Sequence, residues 1–241
     1  MKPLRHLMAA ALACAAAFSA TVHAGEAEIR KNLGARFPQF TQIDEVRKTP
    51  ISGLYEVRVG NELFYVDDQG DYLVQGEMID IKGRRNLTQE RVNKLNEVAF
   101  DKLPLQDAFK IVRGNGKRKL AVFEDPNCGY CKHFEKDLRN IDNVTVYLFL
   151  YPVLGPDSKV KSRNIWCSKD KGKTWNDWMV GDVKPADAAA NCDDAVLDRN
   201  IAFGRKYNIT GTPTLIFADG SRTPGAIPAA QVEKQLAAAT K

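Results

Sequence analysis

The chain has 241 residues, 44% of them hydrophobic and 27% charged, with 35 Lys and Arg against 30 Asp and Glu for a formal net charge of +5. This length can bury one full core and a lesser second one. The charge balance is too mild to argue for nucleic acid as a partner.

The first 24 residues differ in kind from the rest. Lys2 and Arg5 lead into an almost wholly apolar run from Leu7 to Ala17, and Val22-His23-Ala24 closes with small-residue spacing, the pattern of a signal peptide cleaved after Ala24. The run is too short to span a bilayer as a helix. Lipid attachment at Cys14 is a competing reading, but cleavage there would leave a very short apolar core. Without residues 1–24 the chain keeps 33 basic residues (35 less Lys2 and Arg5) against 30 acidic ones, a net +3, and His133 is its one histidine. A zinc site with two or more His is then excluded, and a Ser-His-Asp or Cys-His hydrolase could be built only around His133. Cys128, Cys131, Cys167 and Cys192 remain, and an even number in an exported chain reads as disulfides.

Residues 26–37 place Ile29, Leu33 and Phe37 at four-residue spacing, one stripe of a short amphipathic helix. After Pro50 the pattern becomes strand-like: Tyr55, Val57 and Val59 alternate with Glu56 and Arg58, Leu63 to Val66 follows, and beyond the turn at 67–71 Tyr72 to Val74 resumes the sheet. Such a small module with open strand edges is stabilised by pairing with a copy of itself. Residues 25–85 are therefore expected to be an N-terminal dimerisation domain. From Asn86 to about Leu103 the period is helical again, with Val92, Leu95 and Val98 in a narrow stripe, Asn86 and Gln89 placed to cap the start, and Pro104 closing the segment. Residues 86–104 read as a linker helix exposed on most sides.

The remainder, residues 105–241, alternates strands and helices. Leu120 to Phe123 is an apolar strand, Cys128 to Leu138 carries a helical stripe of Cys131, Phe134 and Leu138, and Val144 to Tyr151 is a buried strand. Residues 157–205 read as irregular and helical, Thr214 to Phe217 as a strand, Asp219-Gly220 as a turn and Pro228 to Ala239 as a terminal helix. The pattern is an α/β layered domain with a helical insertion.

Cys128-Gly129-Tyr130-Cys131 stands where the first of these strands meets its helix. There the free N–H groups and the positive end of the helix dipole stabilise a thiolate at Cys128, while Cys131 lies on the inward stripe. An accessible thiolate can attack a disulfide and a shielded thiol can resolve the product. Two other readings of the same spacing are half a zinc site and a short structural disulfide; zinc usually takes two close Cys pairs, and Cys167 and Cys192 are not one. With the CxxC closing on itself, Cys167 pairs with Cys192, a structural bond worth roughly 3 kcal/mol by chain entropy. His133 reads as a surface residue beside Lys132, pointing away from Cys128. Gly211-Thr212-Pro213-Thr214 is by itself a common turn before a strand.

In company, these motifs carry a resemblance. A strand ending in CxxC, a helix, an insertion and a later Thr-Pro before a hairpin resembles the thioredoxin fold over residues 105–241. The leader, N-terminal module, linker helix, Cys-Gly-Tyr-Cys at 128–131, Tyr151-Pro152 with Leu154-Gly155, the second Cys pair and Gly211-Thr212-Pro213 resemble the DsbC/DsbG family of periplasmic disulfide isomerases over essentially the whole chain. The resemblance implies that Cys128 attacks, that Cys131 resolves, that Pro213 is cis, and that the Thr212 backbone faces the cysteines and, with Gly129 and Tyr130, contacts substrate. It further implies a homodimer joined through the N-terminal domains, misfolded disulfide-containing proteins as substrates, the inner-membrane reductase DsbD as the reducing partner, and neither cofactor nor metal. Within the family, Gly129-Tyr130 and Thr212 favour a DsbC-like isomerase over the narrower DsbG-like role; a mainly chaperone-like holdase is the alternative of another class. In one place the chain departs from thioredoxin, where a buried Asp stands six residues before the first Cys: here that residue is Val122, and the proton acceptor for Cys131 is left unassigned between Glu124 and water.

Overall fold

The computed structural model describes residues 24–240; the expected signal peptide lies outside them, apart from Ala24. The described residues divide into two compact units, the first ending at Gly76 and the second beginning at Glu77.

In the first unit, helix α1 (Ala24–Arg36) precedes four strands, β1 (Glu45–Lys48), β2 (Leu54–Val59), β3 (Glu62–Asp67) and β4 (Leu73–Val74), paired antiparallel in the order β1-β2-β3-β4. Ile29 and Leu33 bury against Val57, Phe64 and Val66. Phe37, expected as the third member of their stripe, is instead 45% exposed. Pro38 holds the residue before it extended, and Phe37 has φ −132° and ψ 111°. The helix therefore ends at Arg36, and Phe40 fills the place, edge-on to Phe64 at 5.0 Å between ring centroids. Strand β1, ahead of Pro50, is not legible as a strand because Val46 is its one apolar residue; its pairing with β2, Val46 opposite Val57, makes it one. The turn after β3 is closed by Asp67 Oδ1, which accepts from the Asp71 and Tyr72 N–H groups at 2.8 Å, with Gly70 at φ +69°.

The second unit opens with a two-stranded ribbon, β5 (Ile79–Asp80) and β6 (Arg85–Asn86), and helix α2 (Leu87–Leu95). The Asn86 side chain caps this helix, accepting from the Gln89 N–H at 2.9 Å. The helix stops at Leu95, well short of the expected end near Leu103. Val98 leaves the helical path to donate its N–H to Gly220 O at 3.2 Å and to bury its side chain with Phe123 and Ile216, so tertiary contact overrides local periodicity.

The main sheet comprises β7 (Phe109–Arg113), β8 (Arg118–Glu124), β9 (Val144–Leu150), β10 (Thr214–Phe217) and β11 (Arg222–Pro224), in the order β11-β10-β8-β9-β7. Strands β8 and β9 run parallel across helix α3 (Gly129–Leu138); the other pairings are antiparallel. Side chains of β8 alternate between two cores, as strand geometry requires. Leu120 and Val122 pack with Phe134 and Leu138 of α3 and with Val232 and Leu236 of α7 (Ala229–Ala238). Ala121 and Phe123 face the opposite side with Phe149, Tyr151 and Ile216.

Between β9 and β10 the chain inserts α4 (Pro156–Trp166), α5 (Lys171–Met179) and α6 (Ala195–Lys206). A disulfide joins Cys167, at the end of α4, to Cys192, ahead of α6. Cross-linking residues 25 apart is worth about 3.5 kcal/mol in chain entropy. On α6, Gly204 admits the Tyr151 ring: a Cβ there would fall 2.4 Å from it, and the Tyr151 hydroxyl donates to Ile209 O at 2.9 Å. The architecture is thus an α+β unit followed by an α/β unit with a helical insertion. Among the described residues no helix is long and apolar enough to cross a membrane.

Candidate active site

The site forms where β8 ends. Asp125-Pro126-Asn127 turns the chain out of the sheet, and Cys128 occupies the N-cap of α3 with extended backbone, φ −76° and ψ 115°. Its sulfur accepts from the Cys131 N–H at 3.3 Å, one of the donors that a helix start leaves without an intrahelical partner. Cys131, one turn into α3, is fully buried with Phe134 and Leu138, while Cys128 retains 5% exposure. Neither sulfur is bonded to another residue.

The two thiols differ in acidity. The Cys131 thiol, donating to the Cys128 sulfur, is the largest cause that lowers Cys128 from 9.0 to about 5; burial opposes it, and Thr212 and the N–H groups of Cys131 and Tyr130 add to it. Cys131 moves the other way, pushed far up by burial, by its hydrogen bond to Cys128 and by the nearby Glu124. At neutral pH the arrangement holds a thiolate at Cys128 and a thiol at Cys131.

Thr212 and Pro213 meet this pair from just ahead of the start of β10, the strand paired with β8. Their peptide bond is cis, and Thr212 O lies 3.3 Å from the Cys128 sulfur, which in its thiol form donates to it. Pro213 is buried, Thr212 is half-buried, and Gly129 and Tyr130 are exposed, Tyr130 by 75%. Val153 and Leu154, whose N–H groups are held by Asp125 of the turn before Cys128, are also exposed. His133 points into solvent beside Asp137, at 3.8 Å. The Cys167–Cys192 bond removes both those sulfurs as ligands for a metal at the CxxC.

Sequence reasoning missed the group that holds the turn. Asp125, fully buried, accepts from the N–H groups of Asn127 at 2.8 Å, Val153 at 2.8 Å and Leu154 at 2.9 Å, and from the Ser158 hydroxyl at 2.7 Å. One carboxylate thus ties the loop before Cys128 to the loop after β9 and to the first turn of α4. From α5, Trp178 donates its indole N–H to Pro126 O at 2.6 Å, and Lys132 and Lys161 lie over its ring at 4.0 and 4.8 Å from the centroid. The partners joined by these bonds between elements are 28 to 52 residues apart in sequence. The one local signal was Asp125 beside the CxxC, which carries no sign of how many donors converge on it.

Comparison with known proteins agrees with this geometry. Residues 105–240 match a thioredoxin-like domain family, and residues 20–89 match the N-terminal domain family of disulfide bond isomerase proteins. The probable thiol:disulfide interchange protein DsbC of Bordetella pertussis is 45% identical over 208 residues, which cover 86% of this chain and 73% of that protein. The thiol:disulfide interchange protein DsbC of Salmonella typhimurium is 32% identical over 218 residues, 88% of this chain and 86% of that one. A crystal structure of a disulfide interchange protein from Neisseria gonorrhoeae aligns with a TM-score of 0.55 at 37% identity, covering 58% of this chain and 99% of that one.

Proposed function

Since the chain belongs to the DsbC family of thiol:disulfide interchange proteins and is a disulfide isomerase, we propose that Cys128 is its attacking thiolate and Cys131 its resolving thiol. The observation that carries this assignment is the split in acidity between two sulfurs on one helical turn, Cys128 lowered to about 5 and Cys131 raised. The Cys128 thiolate attacks a wrong disulfide in a misfolded exported protein, forming a mixed disulfide and releasing one substrate thiolate. Another substrate thiol then displaces Cys128 and completes a rearrangement, or Cys131 displaces the substrate and leaves it reduced. The Thr212 carbonyl and the exposed Gly129 and Tyr130 receive the substrate main chain, and Val153 and Leu154 offer unfolded segments an apolar seat, which supports a chaperone-like capacity beside the chemistry.

Residues 1–24 act as a signal peptide, and the mature protein works in the periplasm as a homodimer through its N-terminal unit. Support for the dimer comes from the short edge strand β4 and the residue before it, with Val74 57% and Tyr72 77% exposed. DsbD keeps Cys128 and Cys131 reduced.

Refolding of a scrambled multi-disulfide protein tests the roles. Cys128→Ala is expected to abolish reshuffling, and Cys131→Ala to retain it while accumulating mixed disulfides; unchanged reshuffling by the Cys128 variant refutes the assignment. Sedimentation of the chain from Gly25 at micromolar concentration gives the mass of a dimer, and a monomer would overturn the role of the N-terminal unit.

A further inference from the structure

Strand alternation puts Leu120, Val122 and Glu124 on one face of β8, the face that α3 covers. The row that begins with two apolar residues ends in a carboxyl. Glu124 is fully buried, and neither of its oxygens has a hydrogen-bond partner. On α3, Cys131 and Glu135 are four residues apart and share a face. Glu135 is also buried, but it has partners: it accepts from the Trp175 indole N–H on α5 at 2.9 Å, and the Arg113 guanidinium on β7 lies 3.8 Å away as an ion pair. Arg113 is in turn fixed by its hydrogen bond to Leu138 O, and Arg139 is the other cation near it. The groups with charge or protons that face Glu124 are therefore Cys128, Cys131 and Glu135 from α3 and Arg113 from β7.

Two buried carboxyls in each other's field resist ionising together. Glu135 has the Trp175 N–H and the Arg113 guanidinium beside it whereas Glu124 has no hydrogen-bond partner, so Glu124 is the one that keeps a proton. Burial, then Glu135, then the Cys128 thiolate hold the Glu124 carboxyl well above the usual carboxylate range.

Building on the assignment of Cys131 as the resolving thiol, we propose that Glu124 holds a proton in the reduced protein and, once ionised, takes the proton of Cys131 when the mixed disulfide is resolved. Glu124 is then a catalytic residue and Glu135 a positioning residue that acts through it. When the Cys128 thiolate attacks a substrate disulfide, the new S–S bond forms at Cys128 and the electron pair of the broken bond leaves on the other substrate sulfur. The anion beside Glu124 is gone, which removes one of the causes that hold its proton, and Glu124 ionises with that proton passing to water. The carboxylate left behind takes the proton of Cys131 as Cys131 attacks the Cys128 sulfur. The Cys131–Cys128 bond forms, the bond from Cys128 to substrate breaks, and the second substrate sulfur leaves as a thiolate. Glu124 ends protonated beside the disulfide, as it began, and two substrate thiolates with one proton released to water balance the single negative charge that Cys128 carried at the start.

Rapid mixing of the reduced full chain with oxidised glutathione, quenched in acid and read by mass spectrometry, separates mixed-disulfide formation from its resolution. Glu124→Gln is expected to leave formation within about twofold and to slow resolution about a hundredfold, the usual scale for a lost general base. It should also remove the rise of the resolution rate with pH. Glu135→Gln, which deletes a neighbouring charge, should move the midpoint of that rise to lower pH while resolution persists. Far-ultraviolet dichroism checks that each variant is folded, and Glu124→Asp, which keeps the acid, should restore part of the pH dependence. Resolution by Glu124→Gln at the parental rate, or slower resolution with an unchanged pH profile, overturns the role of Glu124; an unmoved midpoint in Glu135→Gln overturns the action of Glu135 through Glu124. The Cys131→Ala chain separates this from the underlying assignment: it must stall as the glutathione mixed disulfide, and if it does not, Cys131 is not the resolving thiol whatever Glu124 does.

Discussion

Replacing Cys131 by Ala removes the donor that contributes most to the acidity of Cys128. The thiol of Cys128 sits at about 5 against an ordinary 9.0, with the Cys131 S–H as the largest stabilising partner of the thiolate. Each pKa unit corresponds to about 1.4 kcal/mol, so the whole shift is on the order of 5 kcal/mol. A hydrogen bond to a charged acceptor is worth about 1.5–3 kcal/mol, or about one to two units. The variant should therefore titrate at about 6 to 7, still below 9.0 because the Tyr130 and Cys131 N–H groups, Thr212 and the helix start remain. The assay is the ultraviolet absorbance of the thiolate followed against pH, with the pH dependence of alkylation as a check. The midpoint is the diagnostic rather than the rate, because intrinsic nucleophilicity rises with pKa and offsets the loss of thiolate. A variant midpoint that stays at about 5 would show that the helix start alone sets the acidity. A parental midpoint near 9.0 would refute the electrostatic reading of the site altogether.

The same titration governs stability. Because the folded value of Cys128 is depressed, its contribution to the reduced protein is fully present above about 9, is still about 2.7 kcal/mol at pH 7, and is lost as pH falls through about 5. Denaturant unfolding across that window should show the reduced chain losing stability relative to the oxidised chain, whose Cys128 does not titrate; parallel curves would contradict the shift. Asp125→Ala leaves four donors without their acceptor and should cost about 3 kcal/mol or more, read as a lower denaturant midpoint at an unchanged slope. A loss below about 1 kcal/mol would mean that water replaces the carboxylate and that the turn before Cys128 is held by other contacts.

Several features were legible because they depend on neighbours in sequence. The CxxC at a strand-to-helix junction, the inward stripe of Cys131, Phe134 and Leu138, the Asn86 cap and the alternation of β2 all follow from local geometry, and each stands in the structure where its spacing put it. Two of the edge strands were not legible. β1 has a single apolar residue, and β7 is a five-residue edge strand; each is defined by the partner it pairs with. The end of α2 was misjudged for a related reason, since Val98 keeps the helical period but is drawn to Gly220 and the core around Phe123. Phe37 and Phe40 exchanged roles because Pro38 acts on the backbone before packing is decided.

By itself the sequence determined which two sulfurs could be made unlike, because a helix start and a buried stripe are periodic properties of ten consecutive residues. What only the tertiary structure decided is how unlike they become and what surrounds them. The donors converging on Asp125, the Thr212 carbonyl beside Cys128, and the Glu135 that shares its buried space with Glu124 come from separate elements. Burial and Coulomb interactions act through space rather than along the chain, so the charge state of a buried group is set by neighbours that no local spacing reveals.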